Sequence, residues 1–136
     1  MLDIQFHSKD GQENACLDLT TDLYEQLGQS DFSKIGGPSK LTKLTIEGEK
    51  TELLLIKLTK TNRKQFRTFL LNAIATESAA MLKTLASKEQ QLGGDSYYAM
   101  QCIEIMDYTE ASWNLATLLE LLSCIENETF YYIERI

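Results

Sequence analysis

The chain has 136 residues, 43% of them hydrophobic and 24% charged, the size and balance of one globular domain spanning 1–136 that can bury roughly two thirds of its unfolded surface without staples. Its net charge of −7 repels polyanions, which argues against general binding to nucleic acid or to an anionic membrane. The longest apolar runs, such as Leu53 to Ile56, fall far short of the roughly 20 residues that cross a bilayer, and the first residues read as an alternating strand rather than a signal peptide.

Leu2, Ile4 and Phe6 alternate with Asp3, Gln5 and His7, and Ala15, Leu17 and Leu19 repeat the alternation beyond Asp10-Gly11. This predicts a hairpin, since Asp-Gly tolerates the positive φ angles of a tight turn. Thr21 is the expected cap of a short helix carrying Leu23, Tyr24 and Leu27, with Gly28 ending it. A loop around Gly36-Gly37-Pro38 leads into a second hairpin, in which Leu44 and Ile46 alternate with Thr45 and Glu47, and Gly48 turns the chain. Leu53 to Leu58, apolar on both faces except at Lys57, predicts a central strand covered on both sides.

Asn62 and Gln65 have capping-box spacing, and Phe66, Phe69, Leu70, Ala73 and Ile74 recur at helical period. The stripe continues through Met81, Leu82 and Leu85 but is broken by Glu77, which predicts an interruption near Ser78 before Gly93-Gly94 stops the helix. Residues 97–106 read as a buried strand. Thr109 is placed as the cap of a Leu-rich helix bearing Trp113, Ala116, Leu118, Leu119, Leu122 and Ile125, and Phe130 to Ile136 as a closing strand. The expectation is an α+β fold of order ββαββαβαβ. Its sheet, antiparallel or mixed, would have about six strands packed with two or three helices.

The charge is segregated along the chain: −6 over residues 1–33, +6 over 34–67 and −7 over 68–136. Either the basic middle pairs with acidic neighbours, or the surface carries two functional signs. Lys57, Lys60, Arg63, Lys64 and Arg67 form the core of that middle. They fall at a strand end and in the first turns of a helix, where positive charge opposes the helix dipole. Neighbouring acids compensate them, or they contact an acidic partner.

The inventory for catalysis is thin. His7 is the only histidine, which removes every arrangement needing a second imidazole, and its position on the polar face of the first strand predicts a solvated or strand-edge side chain. Gly36-Gly37-Pro38-Ser39-Lys40 lacks the spacing of a phosphate-gripping loop, because proline removes an amide and a strand follows. Glu77 and Glu104 interrupt apolar patterns, as a hydrolytic pair would, or as a kink and a strand edge would. The widely spaced Cys16, Cys102 and Cys124 fit buried thiols better than disulfides or a zinc cage. No metal or cofactor is expected. The sequon Asn127-Glu128-Thr129 would matter only in a secreted chain.

Asp107, Tyr108, Glu110 and Trp113 concentrate acids and aromatics where the last helix begins. Aromatics supply desolvated contact and carboxylates steer basic groups, so this cluster is the expected partner-binding patch; the alternative is that Tyr108 and Trp113 are core.

A small acidic domain opening Leu2-Asp3-Ile4-Gln5-Phe6 and Lys9-Asp10-Gly11-Gln12-Glu13 resembles the immunity proteins of bacterial polymorphic-toxin and contact-dependent growth inhibition systems. The Leu23-Tyr24-Glu25-Gln26-Leu27 helix and the Leu-rich helix before Phe130-Tyr131-Tyr132-Ile133 belong to the same resemblance. It implies a non-enzymatic cytoplasmic protein, monomeric or weakly dimeric, that binds one cognate toxin, often a basic nuclease, and blocks it. The other readings are an adaptor or oligomerising module and a small hydrolase.

Overall fold

Five strands and three α-helices make up residues 2–91 and 112–134, the part of the chain described by the computed structural model. In chain order they are β1 (Leu2–Ser8), β2 (Asn14–Leu19), α1 (Thr21–Gln29), a 3-10 turn (Asp31–Lys34), β3 (Lys40–Ile46), β4 (Glu49–Lys57), α2 (Lys60–Gln91), α3 (112–126) and β5 (Phe130–Glu134). The sheet runs β2-β1-β5-β4-β3 and every pairing is antiparallel. The α+β class stands. The described residues hold five strands rather than about six, and the strand expected over 97–106 lies outside them.

Both hairpins form for local reasons. Gly11 takes φ +76° at the β1–β2 turn, where the Asp10 carboxylate accepts from the Ser8 hydroxyl (2.7 Å) and the Gln12 amide (3.1 Å). Glu47 (φ 51°) and Gly48 (φ 81°) are the two residues between β3 and β4, the paired positive φ angles that suit the twist of flanking strands.

One face of the sheet carries the main core. Phe6, Ile133 and Ile56 lie side by side on β1, β5 and β4, and they meet Leu23 and Leu27 of α1, Phe66 and Leu70 of α2, and Leu118, Leu121 and Ile125 of α3. Phe32, fully buried, lies against Phe66 and Phe69 at 5.2 and 5.7 Å between ring centres, separations at which tilted aromatic pairs attract. On the opposite face Leu44 and Leu55 are buried outside that cluster. There a Cβ added at Gly11 would fall 2.6 Å from the Thr45 carbonyl oxygen and 3.3 Å from the Leu44 Cβ, so the β1–β2 turn lies close to β3. The central strand expected over Leu53–Leu58 is thus covered at Leu55 and Ile56, but Leu54 is 57% exposed.

Several boundaries differ from the sequence reading. Thr20, not Thr21, caps α1, accepting from the Leu23 amide, and Ser30 rather than Gly28 closes it by returning to the Leu27 carbonyl. Thr59 caps α2, accepting from the Asn62 amide at 3.2 Å, while the Asn62 side chain donates back to the Lys57 carbonyl. α2 passes Ser78 without a break, because half-buried Glu77 lies at the rim of a groove with Leu23, Gln26 and Phe69 and needs no kink to reach the surface.

Candidate functional site

β2 is an edge strand, and its alternation turns Ala15, Leu17 and Leu19 toward the core while Asn14, Cys16 and Asp18 are exposed. α3 packs beside it through Leu118, Leu121 and Ile125. The Thr20 hydroxyl, just past the end of β2, donates to the Asn114 side chain at 3.1 Å and holds the first turn of α3 against that edge. Between strand and helix lies an open groove of about 580 Å³ lined by Cys16, Leu17, Asp18, Trp113, Ala116 and Glu120, with Ser112 and Thr117 beside them.

Trp113 is 60% exposed on its rim. An indole left in water forgoes the large burial energy that an aromatic side chain can supply, and such a residue beside carboxylates is characteristic of a binding surface. The described lining contributes two carboxylates, Asp18 and Glu120, and no Lys or Arg. Asp18 also stands directly opposite Asp3 across the β1–β2 ladder, a like-charge pair that disfavours the isolated protein slightly. Hydrogen bonds from the Cys16 thiol (3.1 Å) and the Gln5 side-chain amide (3.2 Å) hold the Asp3 carboxyl below its ordinary range. Reciprocally, that bond, with desolvation and the neighbouring acids, pushes the Cys16 thiol up to about 11. Cys16 is therefore an exposed but protonated thiol and a poor nucleophile.

Of the expected partner-binding residues, Trp113 is at the surface rather than in the core, while Asp107, Tyr108 and Glu110 lie outside the described residues. Asp18 and Glu120 were not singled out by sequence reasoning, since each is an ordinary polar position within its own element and only the fold brings them to one groove.

The basic cluster divides. Arg63 is part-buried and donates to four main-chain carbonyls: Leu58 (3.1 Å), Ile125 (2.6 Å), Asn127 (3.1 Å) and Phe130. Burial lowers its pKa. Arg67 pairs with Glu126 at 2.8 Å. Both arginines, unfavourable toward the start of their own helix, are welcome at the C-terminus of α3, where cations complement the free carbonyls. Lys57, Lys60 and Lys64 remain exposed.

His7 contradicts its expected solvation. It is 2% exposed because β1 is flanked by β2 and β5, with Asn14 and Tyr132 directly across from it. Nδ1 shares a hydrogen bond with Asn14 Oδ1 at 2.5 Å; Nε2 makes none and lies 3.6 Å from the Glu134 carboxylate. Glu77 lines the α1–α2 groove without a second acid among its described neighbours, and Glu104 lies outside the described residues. Among the described residues, no three His, Cys, Asp or Glu side chains converge on a metal site, and no helix is long and apolar enough to cross a membrane. Comparison with protein-family models, with curated proteins and with solved structures finds no match.

Proposed function

We propose that this chain is a binding protein that neutralises a cognate basic toxin by docking it at the β2–α3 groove. One observation carries the reading: exposed Trp113 lies with Asp18 and Glu120 in a groove whose described lining has no positive charge. Carboxylates steer a cationic protein toward the groove, and burial of the indole then slows its release. The resemblance to immunity proteins supplies the biological setting, and cytoplasmic action belongs to the same proposal.

The direct experiment combines the purified chain with the toxin domain encoded beside its gene and measures binding and residual toxin activity. Wild-type protein binds and inhibits. Trp113→Ala weakens the complex by about 30-fold, the effect of losing a central aromatic contact worth roughly 2 kcal/mol. Absence of both binding and inhibition by the wild type would refute the proposal.

A self-associating module is the second reading, favoured by the cross-strand pair Leu41 and Leu54 on the β3–β4 hairpin, 64% and 57% exposed beside the edge of β3 that no described strand covers. Sedimentation at two concentrations decides it: a mass that rises with concentration, and stops rising when Leu41 is changed to Lys, favours this reading over the first.

A further inference from the structure

The groove is built from a strand edge on one side and a helix face on the other. Cys16, Leu17 and Asp18 are consecutive on β2, the outermost of the described strands, so their outward main-chain groups have no strand partner among the described residues. Opposite them, Trp113, Ala116 and Glu120 recur at three- and four-residue spacing, which places them on one line along α3. From Trp113 to Glu120 that line is about 10 Å long at the helical rise. The same length holds roughly three to four residues of extended chain.

Resting on the reading of this groove as the docking site, we propose that its occupant is an extended, basic segment of the partner that pairs as an added strand with the edge of β2 that no described strand covers. Strand addition supplies main-chain hydrogen bonds, and alternate side chains read the two faces. Residues of the added strand on the helix side meet Trp113 and Glu120, which suit an arginine stacked on the indole with its charge near the carboxylate. Residues on the open side meet Asp18 with Asp3 behind it, the like-charge pair that no Lys or Arg relieves among the described ion pairs. Both faces of the added strand are selected for positive charge, so an acidic or neutral segment of the same shape is rejected.

Trp113 is the only tryptophan in the chain, so its fluorescence reports directly on the groove. The probe is the synthetic peptide VKRVTRKVT, whose basic residues fall on both faces of an extended strand, titrated into the full chain. The expected result is a blue shift of Trp113 emission and a Kd weakened at least tenfold by Asp18→Asn with Glu120→Gln, two exposed positions where these near-isosteric changes leave the fold intact. An otherwise identical peptide with Glu at every basic position gives no shift.

Backbone pairing is then separated from charge by N-methylating the peptide at alternate amides. In an antiparallel or parallel ladder only every second amide faces the neighbouring strand, so one methylated set abolishes binding and the other changes it less than threefold. Equal binding by both sets overturns strand addition while leaving toxin docking at the groove intact. No response at millimolar peptide also overturns it, as does sedimentation showing a second copy of the chain in the groove. Failure of the proposed function is distinct from all of these, because it appears as a wild-type chain that does not bind or inhibit the toxin.

Discussion

Replacing Arg63 removes a single side chain that ties four segments together. Its guanidinium reaches the carbonyls of Leu58 before α2, Ile125 near the end of α3, Asn127 in the following turn and Phe130 at the start of β5. At about 1 kcal/mol net for each hydrogen bond, discounted for partial exposure and for the water that replaces it, Arg63→Ala is expected to cost about 3 kcal/mol. That is a large part of the ~10 kcal/mol typical of a domain. Arg63→Lys keeps the charge but loses the fork, and is expected to recover no more than about 1 kcal/mol of the loss. Lys64→Ala, one residue along on the exposed surface, should change stability by less than about 0.5 kcal/mol. Urea unfolding followed by circular dichroism measures all three; with a slope near ~1.5 kcal/mol/M the midpoint of Arg63→Ala falls by about 2 M. If Arg63→Ala and Lys64→Ala unfold at the same urea concentration, the carbonyl clamp contributes nothing and the reasoning fails.

Cys16 gives a pH-dependent test. Its thiol is pushed up to about 11 from an ordinary value of 9.0, first by the bond to Asp3. A raised folded value means that this contribution to stability is complete below pH 9 and is lost as pH rises through about 11. Alkylation at pH 9, resolved site by site by mass spectrometry, is therefore slow at Cys16 and becomes about tenfold faster in Asp3→Asn. Gly11→Ala meets both a positive φ and the Thr45 carbonyl oxygen, 2.6 Å from the added Cβ, and should cost more than about 2 kcal/mol in a thermal or urea melt. Gly48→Ala meets only the φ and should cost about 1 kcal/mol; equal losses would show that the β1–β2 turn does not press on β3. Thr20→Ala removes both the α1 cap and the bond to Asn114, for an expected loss of about 1–2 kcal/mol, and a neutral result would show that α3 is positioned by its core residues alone.

Short-range chemistry made much of the fold legible. Alternation gave β1 and β2, Asp10-Gly11 and Gly48 placed the turns of both hairpins, and the Phe66–Leu70 stripe announced α2. Misreadings arose where packing overrides pattern. His7 follows a polar alternation but is buried because β5, distant in sequence, inserts beside β1. Leu119 follows an apolar periodicity but is exposed, because the core stripe of α3 is the narrower set Leu118, Leu121 and Ile125. Glu77 breaks an apolar stripe without breaking its helix. The site was legible only through Trp113, since a groove between β2 and α3 requires contacts across about 100 residues of chain.

Sheet order also turns a sequence pattern into a spatial one. The −6 segment, residues 1–33, contains β1, β2 and α1, whereas the +6 segment, 34–67, contains β3, β4 and the start of α2. In the order β2-β1-β5-β4-β3 the acidic hairpin forms one edge and the basic hairpin the other, with β5 between them. Arg63 and Arg67 spend their charge on the C-terminal end of α3, away from its Trp113 end, so the bases do not neutralise the groove. The protein thus presents a field that orients an approaching cation as well as attracting it. The consequence is kinetic: the association rate with a basic partner should fall at least tenfold between about 0.02 and 0.5 M salt, as the Debye length shrinks from roughly 20 to 4 Å. Dissociation, governed by the buried indole and main-chain contacts, should change less than about threefold. Stopped-flow Trp113 fluorescence resolves the two rates, and an association rate indifferent to salt would mean that the acidic edge takes no part in recognition.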